Sequence, residues 1–384
     1  MSYAPSPAPL PRPGPGHRTP LAEVLVGASV LDDLGDDLDR LHAGTGVPVT
    51  VRRPWLETWA RAHPERRACA VVVRDPASRR LDGAALFGTA DDGATVDISP
   101  LGHGRNDRSR LPVRTPAAAH RLAHALVEWL TGLDRPWTLR LEQLPEADPV
   151  AVELARLLPT VHLVRAAPIP LVRFHDDASP CVEQYLGKGM RKQLRRAYRR
   201  LEQDRVAVEI GVAGDCQSVF RLLDDVERIH RQRDHDVRGR SDLDAPGAAR
   251  FWREVIERHA WRGEVEISTL RLNGTVAAYV VALIDGHSYR VLDGRFATEW
   301  SDASPGRLLE TATLERAVRG PEWTELDWMN SVASEKLVAY NCFEQTQHLV
   351  GCSPRQVRGP VVLTEEVEGR PTADLALAAL TAGS

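Results

Sequence analysis

Four residues in the second half of the chain, Ser304-Pro305-Gly306-Arg307, have the types and spacing of a phosphate site at the start of a helix. The first turn of a helix leaves backbone N–H groups free, its dipole favours an anion, and a glycine lets a ligand approach the backbone closely. A plain N-terminal cap made by the Ser304 hydroxyl is the alternative. The candidate phosphate ligands are therefore Ser304, Gly306 and Arg307, with Arg295 as a further counter-charge.

A second chemical feature is the basic stretch YLGKGMRKQLRRAYRRLEQDRV, residues 185–206, in a chain whose formal net charge is −4. If residues 188–204 are helical, one apolar stripe packs inward and the arginines cover the remaining faces. That stripe comprises Met190, Leu194, Tyr198 and Leu201. Three roles stay open for the basic face: an ordinary solvated surface, a clamp for phosphate groups, and a nucleic-acid surface. For the last, tRNA is the relevant case, because no second helix follows at the spacing of a DNA-binding helix-turn-helix.

Composition limits the class of protein. The chain has 384 residues, 43% of them hydrophobic and 27% charged, as in a globular protein large enough for two domains. No apolar run approaches the roughly 18 residues of a membrane span, and the N-terminus lacks the apolar centre of a secretion signal. Five scattered cysteines without a CxxC pair favour neither a disulfide framework nor a zinc site. We therefore expect a cytoplasmic monomer or homodimer without membrane insertion.

The elements that would position these residues first appear between residues 67 and 144. Strand-like runs at 67–75, 79–90 and 93–101 are separated by turn residues, and a helix at 116–131 and a strand at 136–144 follow them. The pattern predicts a β-meander with one face buried against helices.

The second half repeats this order about 190 residues later. Three strand-like runs at 264–272, 274–285 and 287–296 precede a helix at 305–319 and a strand at 322–330. The chain is therefore predicted to be an α/β protein of two tandem domains, each with a mixed, largely antiparallel sheet flanked by helices. The predicted divisions are a Pro-rich leader at 1–20, a first domain at 21–165, a second domain at 166–358 and a tail at 359–384.

With the elements in this order, the second half resembles the GNAT superfamily of N-acyltransferases, and within it the CelD/BcsL-like acetyltransferases. The resemblance covers about residues 165–350 and rests on the basic helix RKQLRRAYRRLEQD, on LLDDVERIHRQRDHDVRG, on the run from FWREVIERHAWRG to VLDGRF, and on ASPGRLLETATLERAV. WLETW and the meander of the first half look like the degenerate first domain of such tandem proteins.

The resemblance implies an activity and its substrates. An acetyl- or acyl-coenzyme A donor would lie with its pyrophosphate on the SPGR helix start, no metal would be needed, and the acyl group would pass to an amine or hydroxyl of a small-molecule or cell-envelope precursor acceptor. Fem-like aminoacyl transferases share the tandem architecture and take the acyl group from aminoacyl-tRNA, so that activity is an alternative. A non-catalytic acyl-CoA-binding or scaffold protein is another.

Acyl transfer also needs a proton acceptor for the attacking amine and an acid for the departing thiolate. Asp293, at the end of the central strand, and Asp327, on its neighbour, are both candidate bases, with a loop cap or ion pair as the alternative for each. Tyr340 is the candidate acid, and a half-buried core tyrosine is its alternative.

The acceptor side of the site is predicted from the resemblance. His230 and Arg238 match positions of the family, and Lys336 stands where the family has an aromatic–lysine pair. All three are candidates for binding the acceptor, although His230 could simply favour the dipole at a helix end. A metal cluster of His230, His235 and Asp236 fits no ligand spacing, so no metal site is predicted.

Overall fold

The computed structural model describes residues 22–105, 108–174, 181–320, 322–329 and 336–354. These residues form two compact units: residues 22–167 with 345–354, and residues 168–344. The predicted leader at 1–20 and tail at 359–384 lie outside the described residues. In the part of the chain that is described, no helix has both the length and the apolar character needed to cross a bilayer.

The first unit is a seven-stranded sheet in the order β1-β2-β3-β4-β5-β14-β6, flanked by four helices. Only the β4–β5 pair is parallel. Its elements are β1 (Ala22–Val26), α1 (Val30–Thr45), α2 (Arg53–Ala62), β2 (Arg67–Arg74), β3 (Leu81–Asp91), β4 (Val96–Pro100), α3 (Pro116–Thr131), β5 (Trp137–Pro145), α4 (Pro149–Leu157), β6 (Val161–Arg165) and, from the end of the chain, β14 (Thr346–Cys352).

The second unit is also a seven-stranded sheet flanked by four helices, in the order β13-β7-β12-β11-β10-β9-β8, and only β11 and β12 are parallel. Its elements are β7 (Ile169–Arg173), α5 (Lys188–Gln203), β8 (Val208–Ala213), α6 (Cys216–Arg238), α7 (Ala248–Ala260), β9 (Val265–Leu272), β10 (Thr275–Asp285), β11 (Ser288–Phe296), α8 (Pro305–Arg319), β12 (Glu325–Asp327) and β13 (Cys342–Glu344). Both units therefore have the predicted mixed, largely antiparallel sheet.

The last strand changes one predicted domain boundary. The predicted second domain includes residues 345–358, but β14 lies between β5 and β6 of the first sheet and is antiparallel to both. The corresponding position of the second sheet, between β12 and β13, is filled by β7. A repeat search cannot detect this arrangement, because the hydrogen bonds of a strand do not depend on where it occurs in the chain.

The two faces of the second sheet carry different helices. Alternate residues of β9 face a core cluster that contains α5 and α8 side chains, Leu270 and Leu272 among them. The β9–β10 hairpin closes with Asn273 at φ 51° and Gly274 at φ 81°, the two left-handed positions that an Asn-Gly turn accommodates. This hairpin sets the register in which one face of the neighbouring strand β11 meets α8 and the other meets α6.

One detail of the basic helix differs from the prediction. Helix α5 buries Leu194, Ala197 and Leu201, whereas Tyr198, predicted to face inward, is 46% exposed. The small side chain of Ala197 takes the inward position, so the buried stripe lies about a quarter turn away from Tyr198.

Candidate acyl-transfer site

The candidate site begins where two parallel strands of the second sheet separate. Strand β12 pairs with β11 from Ser288↔Glu325 to Arg290↔Asp327 and then ends. Strand β11 continues to Phe296 with β10 on its other side, and a bulge in this ladder lies at Val281/Ala282. On the β12 side, the described strands thus leave the backbone of residues 291–296 free to bind a ligand or an oxyanion.

The helix that follows β11 starts without a side-chain cap. Ser304 occupies the N-cap position in the left-handed region at φ 53° and ψ 47°, and its hydroxyl makes no capping hydrogen bond. Among the described residues, the N–H groups of Gly306 and Arg307 find no acceptor, since the first bond of the helix runs from Leu308 N to Ser304 O at 3.3 Å. The plain-cap alternative is therefore absent, and the helix start offers free donors to an anion.

Gly306 has a packing role that the sequence did not reveal. A β-carbon at this position would come within 3.1 Å of Phe296 Cδ1, so the glycine lets the helix start lie against that ring. The Arg233 guanidinium lies over the same ring, 4.2 Å from its centroid. The ring thus brings a cation from α6 close to the start of α8, and the sequence analysis did not include Arg233.

Arg295, predicted to be a phosphate counter-charge, lies on the other face of the sheet. Successive residues of a strand point to opposite faces, and the register pairs Tyr279 with Arg295 and Val281 with Asp293. Phe296 faces α8, whereas Arg295 and Asp293 face α6. The guanidinium of Arg295 is bound to carboxylates there, 2.9 Å from Asp293 Oδ1 and 3.1 Å from Asp234 Oδ1.

A buried polar network surrounds Asp293 on this face. Its Oδ2 lies 2.8 Å from His230 Nδ1 and accepts a 2.7 Å hydrogen bond from the Tyr279 hydroxyl. Asp234 accepts from Arg238 at 2.7 Å. Its Oδ2 lies 3.2 Å from His230 Nε2, but this nitrogen makes no hydrogen bond within the described residues. The structure thus brings together three predicted residues, Asp293, His230 and Arg238, with Tyr279 and Asp234, which the sequence analysis missed.

Opposite charges determine the protonation of this network. Burial alone raises the pKa of Asp293, but Arg295 and the hydrogen bonds from His230 and Tyr279 outweigh it and lower that pKa to about 2. Burial also opposes ionisation of Asp234, yet Arg238 and Arg295 keep its pKa below the usual value. Burial, followed by the charge of Asp293, holds the pKa of Tyr279 well above its usual range. Asp293 is therefore a permanent carboxylate that orients its neighbours and does not itself accept a proton near neutral pH.

The other predicted catalytic residues lie apart from this network. Asp327 is fully buried, forms a salt bridge with Arg290 and accepts a 2.9 Å hydrogen bond from Met329 N. These contacts match the ion-pair alternative for Asp327. Tyr340 is 43% exposed, and its ring lies 5.1 Å from that of Phe343. Lys336 is exposed.

Glu310 is a partly buried acid that was not among the residues predicted from the sequence. It lies four residues after Gly306 on the same face of α8. Its Oε2 is buried and finds no hydrogen-bond partner among the described residues. Burial raises the pKa of Glu310 to about 7, with Arg307 opposing the shift.

The raised pKa of Glu310 predicts how the stability of the second unit depends on pH. Because the pKa of Glu310 in the folded protein lies above that of an ordinary glutamate, its contribution is fully present below about pH 4.5 and is lost as the pH rises through about 7. Urea unfolding of wild type and Glu310→Gln at pH 5.5 and pH 8 measures this contribution. Between pH 5.5 and pH 8 the free energy of unfolding of the wild type should fall by about 2 kcal/mol more than that of the variant. Equal decreases in the two proteins would show that Glu310 is an ordinary, solvated carboxyl.

The first unit differs from the second at the corresponding place, in the described part of the loop before α3 and in the start of that helix. Its helix α3 is capped by Thr115, whose side chain accepts from Ala118 N at 3.0 Å. The loop before α3 covers the strand ends: Ser109 N donates to Gln143 O at 3.1 Å, and Val113 forms a bridge with Gly83. Among the described residues, a side-chain cap and a covering loop thus lie where the second unit has an uncapped helix start and separated strands.

In the second unit, two parallel central strands of a mixed sheet separate beside an uncapped helix start. This arrangement is that of the GNAT acyltransferase fold. Residues 188–336 match the family model described as acetyltransferase (GNAT) domain. This match covers most of the second unit. No curated protein matches the chain by sequence.

Solved structures share the fold at low sequence identity. The C-terminal domain of a putative lysylphosphatidylglycerol synthetase from Agrobacterium fabrum has a TM-score of 0.50 and 12% identity, over 90% of this chain and 96% of that one. A conserved protein of unknown function from Bacteroides thetaiotaomicron has a TM-score of 0.53 and 13% identity, over 86% and 99%. FemX has a TM-score of 0.53 and 9% identity, over 78% and 89%. At these identities the likeness concerns the fold alone.

Proposed function

We propose that this protein transfers an acyl group from a coenzyme A thioester to an amine of a small-molecule or envelope-precursor acceptor, and that the second unit carries the site. The observation that carries the proposal is the conjunction, within the matched GNAT domain, of separated parallel strands with a helix start whose N–H groups are free. Such a pair of features suits a ligand with an extended arm and a pyrophosphate.

The donor side of the proposal rests on the start of α8. The N–H groups of Gly306 and Arg307 and the Arg307 guanidinium would hold the pyrophosphate, while Arg233 adds positive charge across the Phe296 ring. The free backbone of residues 291–296 would hold the arm of the donor and the oxygen of its thioester. When bound, the thioester supplies the activated acyl group.

The acceptor side rests on the network around His230. An amine is mostly protonated at neutral pH, and the ammonium group must lose one proton before its nitrogen can attack the thioester carbon. His230 is the proposed proton acceptor: its Nδ1 lies 2.8 Å from Asp293 Oδ2, and its Nε2, 3.2 Å from Asp234 Oδ2, makes no hydrogen bond in the described part of the chain. The reaction forms a C–N bond and breaks the C–S bond; one proton of the amine passes to Nε2, and coenzyme A leaves as a thiolate that takes up a proton from solvent. Arg238, 45% exposed, lies at the surface of the network and would contact the acceptor.

Donor binding is the first test of this proposal. Calorimetric titration of the purified protein with free coenzyme A and acetyl-coenzyme A should show saturable binding, and Arg307→Gln should weaken it about tenfold because one charge-assisted contact to phosphate is lost. Arg319→Gln is the matched control, since it removes an arginine from the other end of the same helix, where Arg319 pairs with Glu315. Binding that both substitutions weaken equally would show that general charge, and not the helix start, holds the donor.

The alternatives predict different titrations. An aminoacyl-tRNA-dependent transferase of the Fem-like kind would bind tRNA, with an affinity that falls steeply as salt is added, and would not bind coenzyme A. A non-catalytic binding protein would bind the thioester and leave it intact when presented with a panel of amines. Binding of coenzyme A followed by amine-dependent release of its thiol supports the acyltransferase alone.

A further inference from the structure

The basic face of helix α5 has no role in the proposed reaction. Six cations point away from the buried stripe, and at 100° per residue they occupy one sector of about 140°. They are Lys188, Arg191, Lys192, Arg195, Arg196 and Arg199. Five of the six are exposed, and Arg191 is partly buried. The helix therefore presents a continuous positive stripe about three turns long.

These cations lack the partners that arginines of the neighbouring helices have. Within the described residues, none of the six has a carboxylate within 4 Å; on α5 only Arg200 forms ion pairs, with Asp204 and Asp302. In α6 and α7, by contrast, Arg228, Arg250 and Arg253 each pair with an acid. Among the described residues the stripe is thus a positive field without paired acids, in a chain of net charge −4, and an external anion would complement it.

An exposed apolar strip lies on the same face of the sheet. Strand β8 is an edge strand, and Val208, Ile210 and Val212 are 39%, 41% and 45% exposed. Val208 and Ile210 pair with Leu272 and Leu270, which are fully buried in the core cluster that contains α5 side chains. Directly opposed residues point to the same face. Helix α5 therefore covers β9 but not β8. The aliphatic strip of β8 is exposed on the same face of the sheet against which α5 packs.

We propose that the cationic stripe of α5 and the aliphatic strip of β8 form a docking surface for an anionic lipid bilayer. Positive side chains are attracted to anionic headgroups, and exposed aliphatic side chains gain by entering the acyl boundary; a peripheral membrane surface uses both. RNA would account for the cations but not for Val208, Ile210 and Val212, because RNA recognition relies on phosphate contacts and aromatic stacking. An anionic lipid surface uses both features.

Vesicle co-sedimentation of the full-length protein tests the proposal. Vesicles of roughly one part phosphatidylglycerol to two parts phosphatidylcholine should bind the wild type at low salt and release it as salt rises, whereas pure phosphatidylcholine should not bind it. A variant with Lys188, Lys192, Arg195 and Arg199 all changed to glutamine should bind at least about 100-fold more weakly. Ile210→Ser with Val212→Ser should bind about tenfold more weakly, and its loss should persist at low salt because it removes apolar contact.

The controls separate this surface from charge in general and from RNA. Arg228→Gln with Arg250→Gln removes two exposed cations from α6 and α7 and should leave vesicle binding within about twofold of wild type. Equal loss in this control, or wild-type binding to neutral vesicles, would overturn the proposal. The proposal would also be overturned if the wild type does not bind anionic vesicles but binds a duplex RNA, because the stripe would then be a nucleic-acid surface. Circular dichroism of each variant excludes unfolding as the cause of lost binding.

Discussion

Asp293→Asn should lower kcat for acyl transfer about 100- to 1,000-fold while leaving coenzyme A affinity within about threefold of wild type. The asparagine keeps the shape of the side chain but removes the charge that binds Arg295 and orients His230 through Nδ1. His230 could then adopt the other tautomer, in which Nε2 carries the hydrogen and cannot accept a proton from the amine. The measurement is thiol release from acetyl-coenzyme A with a panel of amines, compared with calorimetric binding of free coenzyme A.

A purely structural role for Asp293 predicts a different result, and the pH profile distinguishes the two. As a positioning residue it should change the pH dependence of kcat/KM, since it acts through the protonation of His230. Asp285→Asn is the matched control: Asp285 is also a buried carboxylate of the same sheet and pairs with Arg290 at 2.7 Å, but it makes no contact with His230. If both variants lose activity and stability together and keep the wild-type pH profile, Asp293 only supports the fold.

Asp327→Asn should have the opposite pattern, with a large loss of stability and a small loss of activity. Its carboxylate is fully buried, so the substitution leaves the Arg290 guanidinium with Asp285 as its one remaining salt-bridge partner in the described residues. Removing one member of such a buried pair costs about 3 kcal/mol. The free energy of unfolding in urea measures this cost, and kcat should stay within about threefold at a temperature where the variant is folded.

The same two variants decide which predicted aspartate takes part in the reaction. A folded Asp327→Asn protein with wild-type stability and a 100-fold lower kcat would make Asp327 the base and contradict the assignment to His230. Normal turnover by both Asp293→Asn and Asp327→Asn would exclude both carboxylates. Glu310 would then be the next candidate, because its pKa of about 7 is matched to proton transfer near neutral pH.

The local sequence pattern was sufficient to predict the strands and the helix that frame the candidate site. The alternation and turn residues predicted strands at 264–272, 274–285 and 287–296, and the structure has them within one residue at each end. The helix predicted at 305–319 begins at Pro305 and ends at Arg319. These elements obey short-range rules, since a two-residue turn, a proline at a helix start and an apolar period are all determined by neighbouring residues.

The pairing of strands that are distant in the chain was harder to predict from the sequence. The strand predicted at 322–330 is reduced to Glu325–Asp327, and part of its predicted range lies outside the described residues. Strand β14 joined the first sheet although it follows the second unit in the chain. The aspartates 293 and 327 looked alike in sequence, each at the end of a strand, and only the side chains that meet them in space differ: His230, Tyr279 and Arg295 for one, Arg290 for the other.

The sequence by itself determined the duplicated α/β order, the GNAT resemblance of the second half, the helix start at Pro305 and the presence of a basic helix, because each depends on residue types close together in the chain. The tertiary structure alone decided that Arg295 binds Asp293 and Asp234 while Phe296 contacts the helix start. It also decided that Asp327 is held in an ion pair, that six cations of α5 have no carboxylate within 4 Å among the described residues, and that three aliphatic side chains of β8 are exposed. The physical reason is that charge and burial act through space, so the state of a side chain depends on residues far away in the chain, as for His230 and Asp293, which are 63 positions apart.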